Sequence, residues 1–127
     1  MIGVQHLDHV AITVTDVERS ARWYGEVLGL ERRHEEVWGG YPLMMCAGET
    51  CIALFPPDGT LSERPSNRTT ISMRHFAFRV DRENFTAAQE RLGETGISFT
   101  FEDHEICHSI YFADPDGHRV ELTTFEI

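Results

Sequence analysis

Two histidines and one glutamate carry the chemistry most directly read from this chain. His9 stands in Leu7-Asp8-His9-Val10-Ala11-Ile12, His75 in Arg74-His75-Phe76-Ala77-Phe78, and Glu121 in Val120-Glu121-Leu122. Apolar residues alternate around each of them, as on a strand with one buried face. Two imidazoles and a carboxylate bind a divalent cation and leave positions open for water or substrate. That donor set suits Fe(II) or Mn(II) first, and Zn(II) or Ni(II) next. Taken singly, each residue has a plainer reading: a lone strand histidine is usually a hydrogen-bonded surface or core residue, and a strand glutamate is usually solvated. Repetition is what joins them. His75 follows His9 by 66 residues, and Ala77 follows Ala11 and Val80 follows Val14 at the same interval.

The elements around these residues are written twice. Leu7 to Val14 reads as a strand with His9, Ala11 and Thr13 on one face and Val10, Ile12 and Val14 on the other. Thr15 then caps a helix, with Glu18 reaching back in a capping box, Val17, Ala21, Tyr24 and Leu28 forming an apolar stripe, and Gly29 ending it. Strands follow over 31–37, 41–46 and 51–55. A stretch rich in Pro, Ser, Asp, Asn and Gly over 57–70 suits a linker between modules. The pattern then returns: a strand over 73–80, Asp81 as cap, a stripe of Phe85, Ala88 and Leu92, Gly96 as terminator, and strands over 97–101, 109–113 and 119–125. The expectation is one α+β domain of two βαβββ modules, 1–56 and 71–127, forming a cupped eight-stranded mixed sheet with His9, His75 and Glu121 on its concave side.

Asp114-Pro115-Asp116-Gly117 favours a three-residue hairpin loop with a bulge. That register sets Tyr111 opposite Glu121 and turns Ser109 to the same side, while Ile110 and Phe112 join the core. A two-residue loop would reverse the parity. Tyr111 then serves as an oxyanion donor or a half-buried strand residue. His104 and His108 are candidates for general acid or base, or are loop-exposed. Arg119 attracts an anionic substrate group or pairs with a neighbouring acid. Trp38 and Tyr41 are expected at the pocket rim, Ser109 among the substrate contacts, and Trp23 and Tyr24 in the core.

Composition narrows the partners. A formal charge of -10 opposes binding to a phosphate backbone, so no nucleic-acid partner is expected. No run of about 18 apolar residues is present to cross a membrane, and the first residues lack the blocks of a signal peptide, so a cytoplasmic protein with a small-molecule substrate is expected. The three cysteines, Cys46, Cys51 and Cys107, show no CxxC spacing. Cys46 and Cys51 fall where a hairpin would set them opposite each other, but reduced, partly buried thiols are the preferred reading.

The segments quoted above, with Trp23-Tyr24, Val27-Leu28-Gly29-Leu30 and Ile110-Tyr111-Phe112-Ala113-Asp114-Pro115-Asp116-Gly117-His118-Arg119-Val120-Glu121-Leu122, resemble the glyoxalase, bleomycin-resistance, fosfomycin-resistance and extradiol-dioxygenase superfamily over nearly the whole chain. The resemblance implies paired βαβββ modules, a metal whose ligands fall at His9, His75 and Glu121, and a substrate whose adjacent oxygens chelate it. It also implies a homodimer. Glyoxalase I enzymes have a fourth ligand where alignment puts Ala53. Three ligands look instead like the fosfomycin-resistance transferases or the extradiol dioxygenases. Against the former, Phe101 falls where a phosphonate-binding Lys is expected, and Ile127 stands short of their basic tail. Asp103-His104, Ser109-Ile110-Tyr111 and the Asp-Pro-Asp-Gly turn resemble the latter. Ring cleavage, addition to an epoxide and glyoxalase-type isomerisation remain open. The alternative is a metal-free protein that sequesters a drug or metabolite in an apolar, aromatic-lined cleft.

Overall fold

The computed structural model describes residues 1–62 and 68–127, and the chain divides into two compact units, Met1–Ser62 and Glu63–Ile127. The expected linker over 57–70 includes residues 63–67, which lie outside the described residues. The first unit runs β1 (His9–Thr13), α1 (Val17–Leu28), β2 (Glu31–Arg33), a 3-10 turn (Trp38–Gly40), β3 (Leu43–Ala47) and β4 (Thr50–Phe55). The second runs β5 (Phe76–Arg79), α2 (Arg82–Glu94), β6 (Thr100–Asp103), β7 (His108–Ala113) and β8 (Arg119–Thr124). Each forms its own four-stranded mixed sheet, ordered β1-β4-β3-β2 and β5-β8-β7-β6. The order and the parallel outer pair are the same in both, so the sequence repeat is a repeat of topology. Among the described residues no helix is long and apolar enough to cross a membrane.

Alternation along the strands divides each sheet into two faces. In the first unit, Ile12, Leu43, Met45, Ile52 and Leu54 are buried on the face that meets α1, with Val17, Ser20, Ala21 and Tyr24 of the helix against them. In the second, Ile110, Phe112, Val120 and Leu122 are buried on the face that meets Phe85 and Leu92 of α2. Burial of each such side chain contributes about 1.5–3 kcal/mol. A Cβ at Gly25 would stand 3.6 Å from the terminal methyl of Met45, an ordinary packing contact.

The helix ends refine the expected boundaries. The α1 cap is Asp16 rather than Thr15: its Oδ1 accepts from the Arg19 backbone N–H at 3.0 Å, the third helical position. Glu18, released from the capping role, pairs with Arg32 at 3.3 Å. Asp81 caps α2 as expected, accepting from Asn84 N at 2.8 Å. Gly29 takes a left-handed conformation at φ 68 and closes α1. Gly96, at φ 74, does the same beyond α2, and Ile97 N donates to Leu92 O. That bond ties residue 97 to the helix exit, so β6 begins at Thr100 instead. Likewise β2 stops at Arg33, where His34 at φ 61 opens a turn closed by Val37 N to His34 O.

The cysteine expectation is corrected. Cys46 and Cys51 are register partners across the β3–β4 hairpin and form a disulfide, leaving Cys107 as the free cysteine. The short turn at Gly48-Glu49 sets them directly opposite on one face, so the hairpin placement holds and the reduced reading does not.

Two substitutions test this account through the unfolding midpoint in denaturant. Asp16→Ala should cost about 1 kcal/mol through the lost cap, and Leu54→Ala about 2–5 kcal/mol through the cavity it leaves. Equal midpoints for the two variants would contradict the assigned roles.

Candidate functional site

Glu121 lies on β8 in the middle of the second sheet, 8% exposed, between Ala77 of β5 and Tyr111 of β7. Strand parity explains why it leaves the core: Val120 and Leu122 turn toward α2, and the residue between them must face the other way. The hairpin that fixes its neighbours is the expected three-residue loop, with Asp114 N donating to His118 O and Gly117 N to Asp114 O. Asp114 Oδ1 accepts from the backbone N–H of both Asp116 and His118. The register sets Tyr111 opposite Glu121, Ser109 opposite Thr123 and Ala113 opposite Arg119. Ile110 and Phe112 turn into the core.

Both carboxylate oxygens are engaged. Glu121 Oε1 is 2.9 Å from His75 Nε2, and Oε2 accepts from the fully buried Ser109 hydroxyl at 2.9 Å. A carboxylate taken out of water is costly unless donors or a cation meet it. Tyr111 packs edge-on to the His75 ring, with centroids 5.5 Å apart, and its hydroxyl is 3.0 Å from His104 Nε2. The same His104 nitrogen lies 3.4 Å from Glu102 Oε2. Arg119 lies over the Tyr111 ring, 4.9 Å from its centroid. A cavity of about 350 Å³ opens here, lined in part by Arg74, His75, Glu102, Tyr111 and Arg119.

Burial, followed by the negative charge of Glu121 and a hydrogen bond to it, raises the Tyr111 hydroxyl above its ordinary value of 10.0. Glu102 adds to the rise, and a hydrogen bond from Ser109 acts against it. Tyr111 is therefore a neutral O–H at any physiological pH, able to donate.

One residue expected at the site stands elsewhere. His108 is on the opposite face of β7, turned toward α2: Arg82 Nη2 lies 2.9 Å from its Nδ1, and Phe101 meets its ring edge-on. The alternation that brings Ser109 and Tyr111 to Glu121 carries His108 away, and His104 takes the place beside Tyr111. Phe101 also faces α2, against Phe85. On the site face of β6 stands Glu102, opposite Ser109. Trp38 lies in the first unit on the 3-10 turn, exposed and edge-on to His34. Arg74 and Glu102 were missed as lining residues. Adjacency to His75 and parity with Tyr111 were the signals that pointed to them.

The corresponding face of the first sheet carries one histidine, with Thr13, Glu31 and Arg33 toward its edges. His9 begins β1, and its Nδ1 is 2.8 Å from Asp8 Oδ2. Ala11 pairs with Ala53 as Ala77 pairs with Glu121, so the register agrees with the alignment that puts Ala53 at the glutamate's position. Met44, Cys46, Cys51 and Ala53 make that face an apolar cluster. Among the described residues, no group of three or more His, Cys, Asp or Glu is gathered closely enough to hold an ion. Within the second unit, His75 and Glu121 are the members of the expected triad brought together.

A family model described as the Glyoxalase/Bleomycin resistance protein/Dioxygenase superfamily matches residues 6–122. The chain belongs to this superfamily. Metallothiol transferase FosB of Staphylococcus epidermidis is 30% identical over 126 residues, covering 95% of this chain and 82% of the transferase. Catechol-2,3-dioxygenase of Bacillus subtilis is 27% identical over 124 residues, covering 92% of this chain and 40% of the dioxygenase. The crystal structure of a glyoxalase/dioxygenase from Nostoc punctiforme matches with a TM-score of 0.81 at 24% identity, over 97% of this chain and 92% of that one. The α+β fold is thus that of the superfamily, and the relatives named are enzymes of it.

In protein freed of divalent ions, Tyr111 should ionise above pH 10, seen as tyrosinate absorbance missing from Tyr111→Phe. The linked stability is fully present below about pH 10 and lost as pH rises through the folded value. A tyrosine component that titrates below 10 and vanishes in Tyr111→Phe would contradict this.

Proposed function

We propose that this chain is a metal-dependent enzyme acting on a small substrate with two adjacent oxygens. His9, His75 and Glu121 would hold one divalent ion, Fe(II) or Mn(II) before Zn(II) or Ni(II). The observation that carries the reading is the 2.9 Å separation of the half-buried His75 Nε2 from Oε1 of the buried Glu121. That separation lets His75 and Glu121 bond each other directly, and would let both serve as donors to one ion. His9 adds support of a different kind. Its Nδ1 is engaged by Asp8, the arrangement that fixes a ligating imidazole and leaves Nε2 for a metal.

When bound, such an ion supplies Lewis acidity toward a substrate's paired oxygens. The side chains account for the rest. Ser109 holds the Glu121 carboxylate in one orientation. Tyr111 donates its proton toward substrate oxygen as negative charge develops there, and His104, 3.0 Å from the phenol, relays protons to it. Arg119 contacts the substrate from the same face. Dioxygenase-like ring cleavage and fosfomycin-resistance-like addition both fit this arrangement, and relatives of both kinds are known. His108 has no part in the reading, because it faces α2. A metal-free trap for an apolar drug fits less well, since the cavity wall is largely charged. The working unit would be a cytoplasmic homodimer, a point light scattering can address.

Protein purified without chelator should contain close to one divalent ion per chain. His75→Ala should lose it, and Asp8→Ala should weaken ion affinity by about 10–100-fold. Stoichiometric ion in His75→Ala would overturn the proposal.

A further inference from the structure

All eleven basic residues of this chain are arginines, set against 21 acids. Such a chain repels anions on average. Yet three of the eleven, Arg68, Arg74 and Arg119, line the one cavity that also holds His75 and Tyr111. Arg119 is the informative member. It is partly buried, lies over the Tyr111 ring, and among the described residues has no carboxylate partner. A guanidinium stays charged at all accessible pH, and stacking on a ring uses its face while leaving the N–H groups at its edge free to donate. Glu102, the acid in the lining, is 3.4 Å from His104 and is engaged there.

We propose that the cavity binds the anionic group of the substrate, an oxyanion of carboxylate or phosphate type, with Arg119 as the principal donor and Arg68 and Arg74 adding positive charge to the wall. The substrate is then a small organic acid. This deepens the metal-enzyme reading and rests on it for the second half of the molecule: Arg119 and Glu121 are two residues apart on one strand face, about 6.6 Å along β8. The anionic group is therefore held one strand repeat away from the oxygens that would meet His75 and Glu121. The charge also explains how a strongly acidic protein admits an acid, because the local field opposes the global one.

The test is calorimetric titration of inorganic phosphate, and separately of succinate, into the full chain as purified and again after removal of divalent ions. The expected result is saturable binding of at least one probe in both preparations, weakened about tenfold or more by Arg119→Gln and less by Arg119→Lys, and unchanged by Arg22→Gln on the exposed side of α1. The tighter probe tells whether the acid is tetrahedral or planar. Absence of saturable binding by both probes, or equal binding by a folded Arg119→Gln, would overturn the proposal. Failure of the metal reading is separately visible: ion retention by His75→Ala alongside Arg119-dependent binding to ion-free protein would leave the anion site standing alone.

Discussion

A carboxylate held out of water on a central strand is the constraint around which the second unit is arranged. Glu121 is buried between two neighbouring strands, and its oxygens meet polar partners, His75 on one side and Ser109 on the other. A buried polar group with good geometry is tolerated, whereas one lacking a donor would be a large liability in a domain of modest stability. The Tyr111 ring and hydroxyl, the fully buried serine and the small Ala77 on the adjacent strand all follow from accommodating that charge. Serine suits the position because it donates a hydrogen bond from a short side chain without filling the space needed by the carboxylate.

The two units use one topology for different ends. In each, the first strand runs parallel to the last, and one helix covers one sheet face. On the other face, the second unit places glutamate, tyrosine and serine where the first has Ala53, Met44 and its neighbours. The repeat thus supplies two equivalent frames, and the middle of that face is polar in the second and apolar in the first. The apolar cluster of the first unit is reinforced covalently by the Cys46–Cys51 bridge.

Much of this was legible from the residues. Strand alternation fixed the faces of His9, Glu121 and Tyr111, the Asp-Pro-Asp-Gly signal gave the hairpin register, and the interval between the histidines gave the repeat. Losses came where a single position decided the outcome. Thr15 and Asp16 are both good caps, and only geometry selects the aspartate. His104 and His108 are equally histidine, yet one lies in the turn beside Tyr111 and the other faces α2. The disulfide depended on a turn whose length put two thiols opposite each other. Arg74 precedes β5, so strand alternation does not set the direction of its side chain.

The three-residue turn at Pro115-Asp116-Gly117 has a consequence for how this family member can vary. Side chains on β7 alternate, so the turn's length decides which set meets Glu121. Losing or gaining one residue there would swing Ile110 and Phe112 onto the carboxylate and bury Tyr111 and Ser109 under α2, a double fault that no single replacement could repair. Substitutions within the turn are tolerable while Asp114 keeps its two backbone donors. Changes in its length are not, and descendants of this chain are free to diversify in the chemistry of that corner but bound to its count.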